Sequence, residues 1–211
     1  MTRRLSSPRT IGRDTELATI DGVLDAAVTG DGRVLLISGE AGIGKSRLVT
    51  ELQRRATERG ALTLLGATPV SGAAEIPFAP IVDALRSLSR RVPEPELTAL
   101  LGPARVDLAR LVPSLAPEID WATREGDADP VPGGWARTRL FEGIAGVLER
   151  IGEWRPPSVL VLEDLHWADR SSVDAFAFLA RVLGDARVAL VGTLRIGDLD
   201  APDEGLSRTI E

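Results

Sequence analysis

Between residues 33 and 47 the chain reads Arg-Val-Leu-Leu-Ile-Ser, then Gly39-Glu40-Ala41-Gly42-Ile43-Gly44-Lys45-Ser46, then Arg47. The apolar run Val34, Leu35, Leu36 and Ile37 predicts a short buried strand. Residues from Lys45 to about Arg59 predict a helix. A glycine-rich turn of the pattern G-x-x-x-x-G-K-S, held between a strand and a helix, can be accommodated in few folds. Its glycines let peptide N–H groups curl around an anion, and the helix N-terminus adds partial positive charge at the same point. The expected ligand is the phosphate chain of ATP. Gly39, Glu40, Ala41, Gly42, Ile43, Gly44, Lys45, Ser46 and Arg47 would line it, Lys45 would reach the β- and γ-phosphates, and the Ser46 hydroxyl would face magnesium.

Lys45 stands out on a second ground. All 25 basic side chains except this one are arginine. A chain that otherwise writes arginine has kept one compact ammonium, where a planar guanidinium would not serve. The rest of the composition narrows the choice of function. There is no cysteine and only one histidine, His166, so disulfides, thiolate chemistry and Cys- or His-built metal centres are excluded. Any metal must be held by oxygen. A net charge of −6 argues against direct nucleic-acid binding by this segment, which would call for a clustered basic face. No apolar run reaches membrane-spanning length and the first residues do not read as a secretory leader, so the sequence predicts a cytoplasmic protein with no membrane partner.

Along the chain, residues 1–10 read as a flexible arm and 11–211 as one domain. An amphipathic helix is expected over Thr15–Val28, ended by Gly30-Asp31-Gly32. A strand over Ala61–Leu65 completes a strand-helix-strand unit of the kind that builds parallel sheets. From about 67 to 153 the reading is a helical insertion. Ile81, Leu85 and Leu88 share one face after Pro80, the stretch beyond them is divided by Pro93, Pro103, Pro113 and Pro117, and Asp127–Gly134 is a loop. Leu140, Ile144, Val147, Leu148 and Ile151 then mark a further helix, stopped by Pro156-Pro157. Val159–Leu162 and Val188–Val191 are continuous apolar strands. The predicted fold is therefore an α/β three-layer sandwich around a parallel sheet of about four strands, with the helical insertion between the second and third.

Two strand ends carry further chemistry. Val159–Leu162 runs into Glu163-Asp164, and such a strand set next to the glycine-loop strand would bring an acid to the metal. Glu163 is expected on magnesium, directly or through water, and Asp164 on the attacking water, which it would orient or deprotonate. Thr193 and Arg195 follow the last apolar strand into the same crevice; Thr193 is expected to bind nucleotide and Arg195 to sense or stabilise the γ-phosphate, the competing role for Arg195 being a surface ion pair. Beyond the acidic pair, Asp169 or Ser171 is placed to cap the next helix, with Ser171 and Asp174 in a capping-box-like spacing, and Trp167 to pack.

Taken in order, these motifs resemble the signal-transduction ATPases with numerous domains, an AAA-like branch of the P-loop proteins, and in particular the N-terminal ATPase module of large ATP-binding regulators of the LuxR kind. Ile11–Leu17 resembles that family's Gly-Arg box, which implies that Gly12 and Arg13 lie near the adenine. Gly39–Ser46 corresponds to its Walker A loop and Ile76–Pro80 to its Pro-aromatic-Ala-Pro segment. Leu160–Asp169 resembles its Walker B stretch with the His-Trp-Ala-Asp continuation, and Val191–Arg195 its sensor strand. Glu163 stands where the family more often has Asp, and Asp164 is shorter than the glutamate that many relatives use to activate water, which implies slow hydrolysis. The resemblance also implies that the C-terminal part of the module, with its last core strand, lid and output domains, is missing from these 211 residues.

The expected function is thus an ATP-binding, ATP-hydrolysing regulatory switch, cofactors ATP/ADP and Mg2+, within a larger signalling or transcriptional protein, with nucleotide-dependent self-association among its expected interactions. Alternatives are a nucleotide-dependent interaction module with negligible turnover and a small-molecule phosphotransferase, for which the sequence shows no acceptor motif.

Overall fold

The computed structural model describes residues 12–68, 77–119 and 135–195. Within them strands and helices follow in the order α1 (Asp14–Val28), β1 (Arg33–Ser38), α2 (Lys45–Glu58), β2 (Leu62–Ala67), α3 (Ala79–Arg91), α4 (Glu96–Leu101), α5 (Arg105–Leu111), α6 (Trp135–Trp154), β3 (Ser158–Glu163), α7 (Arg170–Val182) and β4 (Val188–Leu194). The sequence-based expectations for the 1–10 arm, the 127–134 loop and the last residues of the chain lie outside the described residues.

The four strands form one parallel sheet in the order β1-β4-β3-β2. Side chains alternate between its faces. On one face Ile37, Val159, Val161, Ala189 and Val191 pack against α1 and α2 through Ile20, Leu24, Leu48 and Leu52. On the other, Leu62, Leu64, Leu160, Leu162 and Leu190 pack against α3, α6 and α7 through Ile81, Leu85, Leu148 and Phe176. Both faces of the two central strands are covered, which is why β3 and β4 read as unbroken apolar runs where a half-exposed strand would alternate. The architecture is the three-layer α/β sandwich that the sequence predicts, and every regular element described in the insertion between β2 and β3 is a helix.

One expectation is corrected. Sequence reading sets the strand ending in Glu163 beside the glycine-loop strand, but β4 lies between β3 and β1. The helix following β1 carries the chain across to β2 at the far edge of the sheet, so the two later strands fill the gap from β2 inward. β3, arriving first, pairs with β2, and β4 closes the space to β1. Parallel pairing requires long crossovers of this kind, and nothing in strand spacing alone orders the strands.

The insertion is seated on the sheet through α3. A Cβ added to Gly66 in β2 would lie 1.8 Å from the Pro80 carbonyl oxygen, so α3 approaches β2 as closely as a bare backbone allows. The Ala67 amide donates to Asp83 Oδ2 at 3.4 Å. The predicted face of α3 is the buried one, with Ile81, Leu85 and Leu88 all within the core, as are Leu140, Ile144, Val147, Leu148 and Ile151 of α6. No helix among the described residues is long and apolar enough to cross a membrane.

Candidate functional site

β1 stops at Ser38 and the next six residues turn the chain into α2. Gly44, the N-cap of α2, sits at φ 105°, and Gly42 at φ 78°. Both are left-handed conformations that a side chain would disfavour, and they let the loop curl back on itself before the helix begins. By helix geometry the N–H groups of the first turn have no acceptor four residues back, so those of Lys45 and Ser46 are available where the loop opens. Lys45 is buried. Its Nζ donates to the Gly39 carbonyl at 2.9 Å and to the Glu40 carbonyl at 3.1 Å, which fixes the ammonium against the rim of the loop. A cation and a set of amide dipoles therefore converge on one small volume, which suits an anion with several oxygens.

The acidic strand end reaches this loop although β4 separates the two strands. Burial pushes the Glu163 carboxyl above the usual 4.5; a hydrogen bond with Ser46 pulls it the other way, and the neighbouring Asp164 charge adds to the upward push. Ser46 and Glu163, for both of which the sequence predicts magnesium, lie against each other here. A hard cation would find a hydroxyl and a carboxylate at this point and take its remaining ligands from phosphate and water, so the donor set fits Mg2+. The raised Glu163 pKa has a testable consequence. A group whose folded pKa lies above its unfolded value favours folding at low pH, and that contribution is lost as pH rises through the folded pKa, so ionised Glu163 weighs against folding at neutral pH. Without ligand, Glu163→Gln is expected to melt at a higher temperature than the native chain at pH 7, with the difference shrinking as the pH is lowered toward 4.5. Thermal melts across that range measure it.

Asp164 follows in a left-handed turn, φ 55° and ψ 48°, a conformation that Asp tolerates better than most residues. The turn is held from β4: the Asp164 amide donates to Thr193 Oγ1 at 2.8 Å, and Thr193 is buried. The strand ladder between β3 and β4 runs only to Leu162 and Gly192, so the threonine hydroxyl continues it by one more bond. Sequence reading places Thr193 at the crevice and predicts nucleotide contact; the contact present is with the backbone of Asp164. The Asp164 side chain remains 39% exposed and has His166 Nδ1 4.0 Å from its Oδ1, the imidazole itself being buried. A short 3-10 turn, Leu165–Trp167, then presents Trp167 half in solvent, with the Arg195 guanidinium 5.9 Å from its ring centroid. Arg195 makes this cation–π approach at the rim of the site, at the outer limit of such contacts.

Arg13 sits on the other side of the glycine loop. Its Nη2 donates to the Ile43 carbonyl at 2.9 Å and its Nη1 to Glu16 at 2.6 Å. With Thr19, Ile20, Leu36 and Ser38 it borders a pocket of about 260 Å³ between α1 and β1. Gly12, at φ 72°, precedes it. The structure thus puts Gly12 and Arg13 beside the loop, Ser46 beside Glu163, and Thr193 behind Asp164.

Two features escape sequence reasoning. Thr68 donates its hydroxyl to the Glu163 carbonyl at 3.0 Å, tying the end of β2 to the acid; nothing in the sequence around it marks this. Asp169 is the N-cap of α7, as expected, accepting from the Ser172 amide at 3.1 Å, but it also accepts the Phe78 amide at 3.0 Å from 91 residues away. The Ser171 alternative is not the cap, and Asp174 instead pairs with Arg137 and Arg170.

Comparison with known proteins bears on the family and the fold. A family model described as AAA ATPase domain matches residues 9–191. An uncharacterized protein of Rhizobium meliloti (strain 1021) is 31% identical over 203 residues, covering 88% of this chain and 18% of the relative's length. Among solved structures, Cdc6p from Pyrobaculum aerophilum superposes with a TM-score of 0.54 at 16% identity, covering 99% of this chain and 46% of that one. The last likeness is one of fold.

Proposed function

The chain belongs to the AAA ATPase domain family, and from that premise we propose that it binds Mg-ATP in the Gly39–Ser46 loop, hydrolyses it slowly, and serves as the nucleotide-controlled switch of a longer regulatory protein. Family membership implies nucleotide binding, typically with magnesium; the residue roles and the switch are the further step. One observation carries the reading: a buried ammonium is held at the rim of the loop by the Gly39 and Glu40 carbonyls, and it supports a phosphate site there, with Ser46 lying against Glu163 close by. Lys45 and the loop amides would hold the phosphates, Ser46 and Glu163 the metal, and Gly12 and Arg13 the base side. Magnesium, when bound, would neutralise charge developing on the phosphate oxygens. Asp164 would take a proton from water, and Arg195, after leaving Trp167, would meet the γ-phosphate.

The resemblance to ATPase modules of LuxR-type regulators supports a role in signal transduction or transcriptional control, with output residing elsewhere in the parent chain. The length of the Rhizobium relative, of which this chain spans 18%, is in keeping with such a protein. Single-turnover release of phosphate from Mg-ATP tests the enzymatic part. Magnesium-dependent release of one phosphate per bound ATP is expected, its rate falling at least about tenfold on Glu163→Gln. A nucleotide-dependent binding module without turnover is the second reading, favoured by the shortness of Asp164 and its left-handed backbone. Tight binding with no release in the same assay would select it.

A further inference from the structure

We propose that Asp169 is a positioning residue that couples the nucleotide site to the helical insertion, by joining the acidic turn to the residue that caps α3. The inference rests on the nucleotide reading above. Asp169 ends the short segment that begins at Glu163 and Asp164. Its buried carboxylate takes the Ser172 amide at Oδ1 (3.1 Å) and both the Ser172 hydroxyl and the Phe78 amide (3.0 Å) at Oδ2. Helix capping alone accounts for the Ser172 contacts. The Phe78 contact has no part in α7.

Phe78 is the N-cap of α3, in a left-handed conformation at φ 61°. A bulky residue in that region is strained and persists where its surroundings hold it. Its ring is fully buried and packs edge-on against Phe141 of α6 at 6.1 Å, which in turn meets Phe178 of α7 at 5.5 Å. The amide is held by Asp169 and the ring by the insertion. From the other side, Thr68 at the end of β2 grips the Glu163 carbonyl, and the Gly66–Pro80 approach locks α3 onto that strand. The first turn of α3 is therefore fastened both to the backbone of Glu163 and to the end of the segment carrying Asp164. A shift of this acidic turn on nucleotide binding would pass to α3, and a partner on the insertion would be felt at the acids.

Substitution chemistry separates this role from capping. Asparagine caps helices as well as aspartate but offers one acceptor oxygen, the other position being a donor that opposes the Phe78 amide. Serine also caps and is too short to span to Phe78. Amide hydrogen exchange, read at Phe78 and over α3 with and without Mg-ADP or a non-hydrolysable Mg-ATP analogue, is the test, with saturation by each nucleotide checked separately by calorimetry. In the native chain, and in Ser172→Ala, nucleotide is expected to change exchange over the first turn of α3. In Asp169→Asn and Asp169→Ser the Phe78 amide is expected to exchange about tenfold faster, the loss of one buried hydrogen bond, and the nucleotide response of α3 to vanish while affinity stays within about twofold. If either variant keeps the native Phe78 exchange rate or the α3 response, or if the saturated native chain shows no α3 response, the coupling is overturned. Absence of saturable binding by the native chain would overturn the nucleotide reading itself, and the coupling with it.

Discussion

Replacing Lys45 with alanine is expected to weaken Mg-ATP binding by about a hundredfold. The ammonium is the one lysine in the chain and is already desolvated at the loop rim. Its two present acceptors are backbone carbonyls of Gly39 and Glu40, ordinary hydrogen-bond partners that a triphosphate would exceed in charge. Charge-assisted bonds to phosphate contribute about 1.5–3 kcal/mol, which is one to two powers of ten in affinity. Lys45→Arg is expected to fail almost as badly, because a planar fork cannot occupy a space closed by the loop's own carbonyls. Calorimetric titration of both variants, after circular dichroism has shown them folded, checks the expectation.

The second large effect is kinetic. Asp164→Asn is expected to lower turnover by about a hundredfold while leaving nucleotide affinity within a few-fold of native. General-base assistance contributes about 10² to 10⁴ in rate, and asparagine removes the charge without disturbing the left-handed turn, which Asn tolerates as readily as Asp. The hydrogen bond to Thr193 Oγ1 is donated by the backbone amide of residue 164 and survives the substitution. A fall in kcat with unchanged KM would assign the aspartate to the transition state; a parallel loss of affinity would assign it to metal binding alongside Glu163.

Much of this site is legible without coordinates because its signals are local. The turn from strand to helix at Gly39–Ser46 depends on residues adjacent in sequence, and the apolar runs of β3 and β4 follow from burial on both faces. The end of β3 in two acids is equally plain. What escapes is everything set by strand order. The acids point to a strand beside the loop strand, yet β4 stands between them, because pairing among parallel strands is decided by crossovers through an insertion whose packing no short window encodes. The same gap hides the bond from the Asp164 amide to the Thr193 hydroxyl. The β3–β4 neighbour relation has to be known before a β4 side chain can be matched to a β3 amide. Asp169 is legible as one of two candidate caps, with Ser171 the other, whereas its bond to Phe78, 91 residues away, has no sequence signature. The Ile76–Pro80 segment stands out only through resemblance; its Phe78 meets Asp169 and its Pro80 packs against Gly66 of β2.

The central proposal is that the Gly39–Ser46 loop is a triphosphate site that acts together with Glu163. Calorimetric titration of the folded chain with ATP, with and without magnesium, tests that most directly. Saturation at one site below millimolar nucleotide is expected, tighter with magnesium, with the magnesium advantage lost in Glu163→Gln. A heat-silent titration to millimolar Mg-ATP, or binding that Lys45→Ala leaves intact, would contradict it.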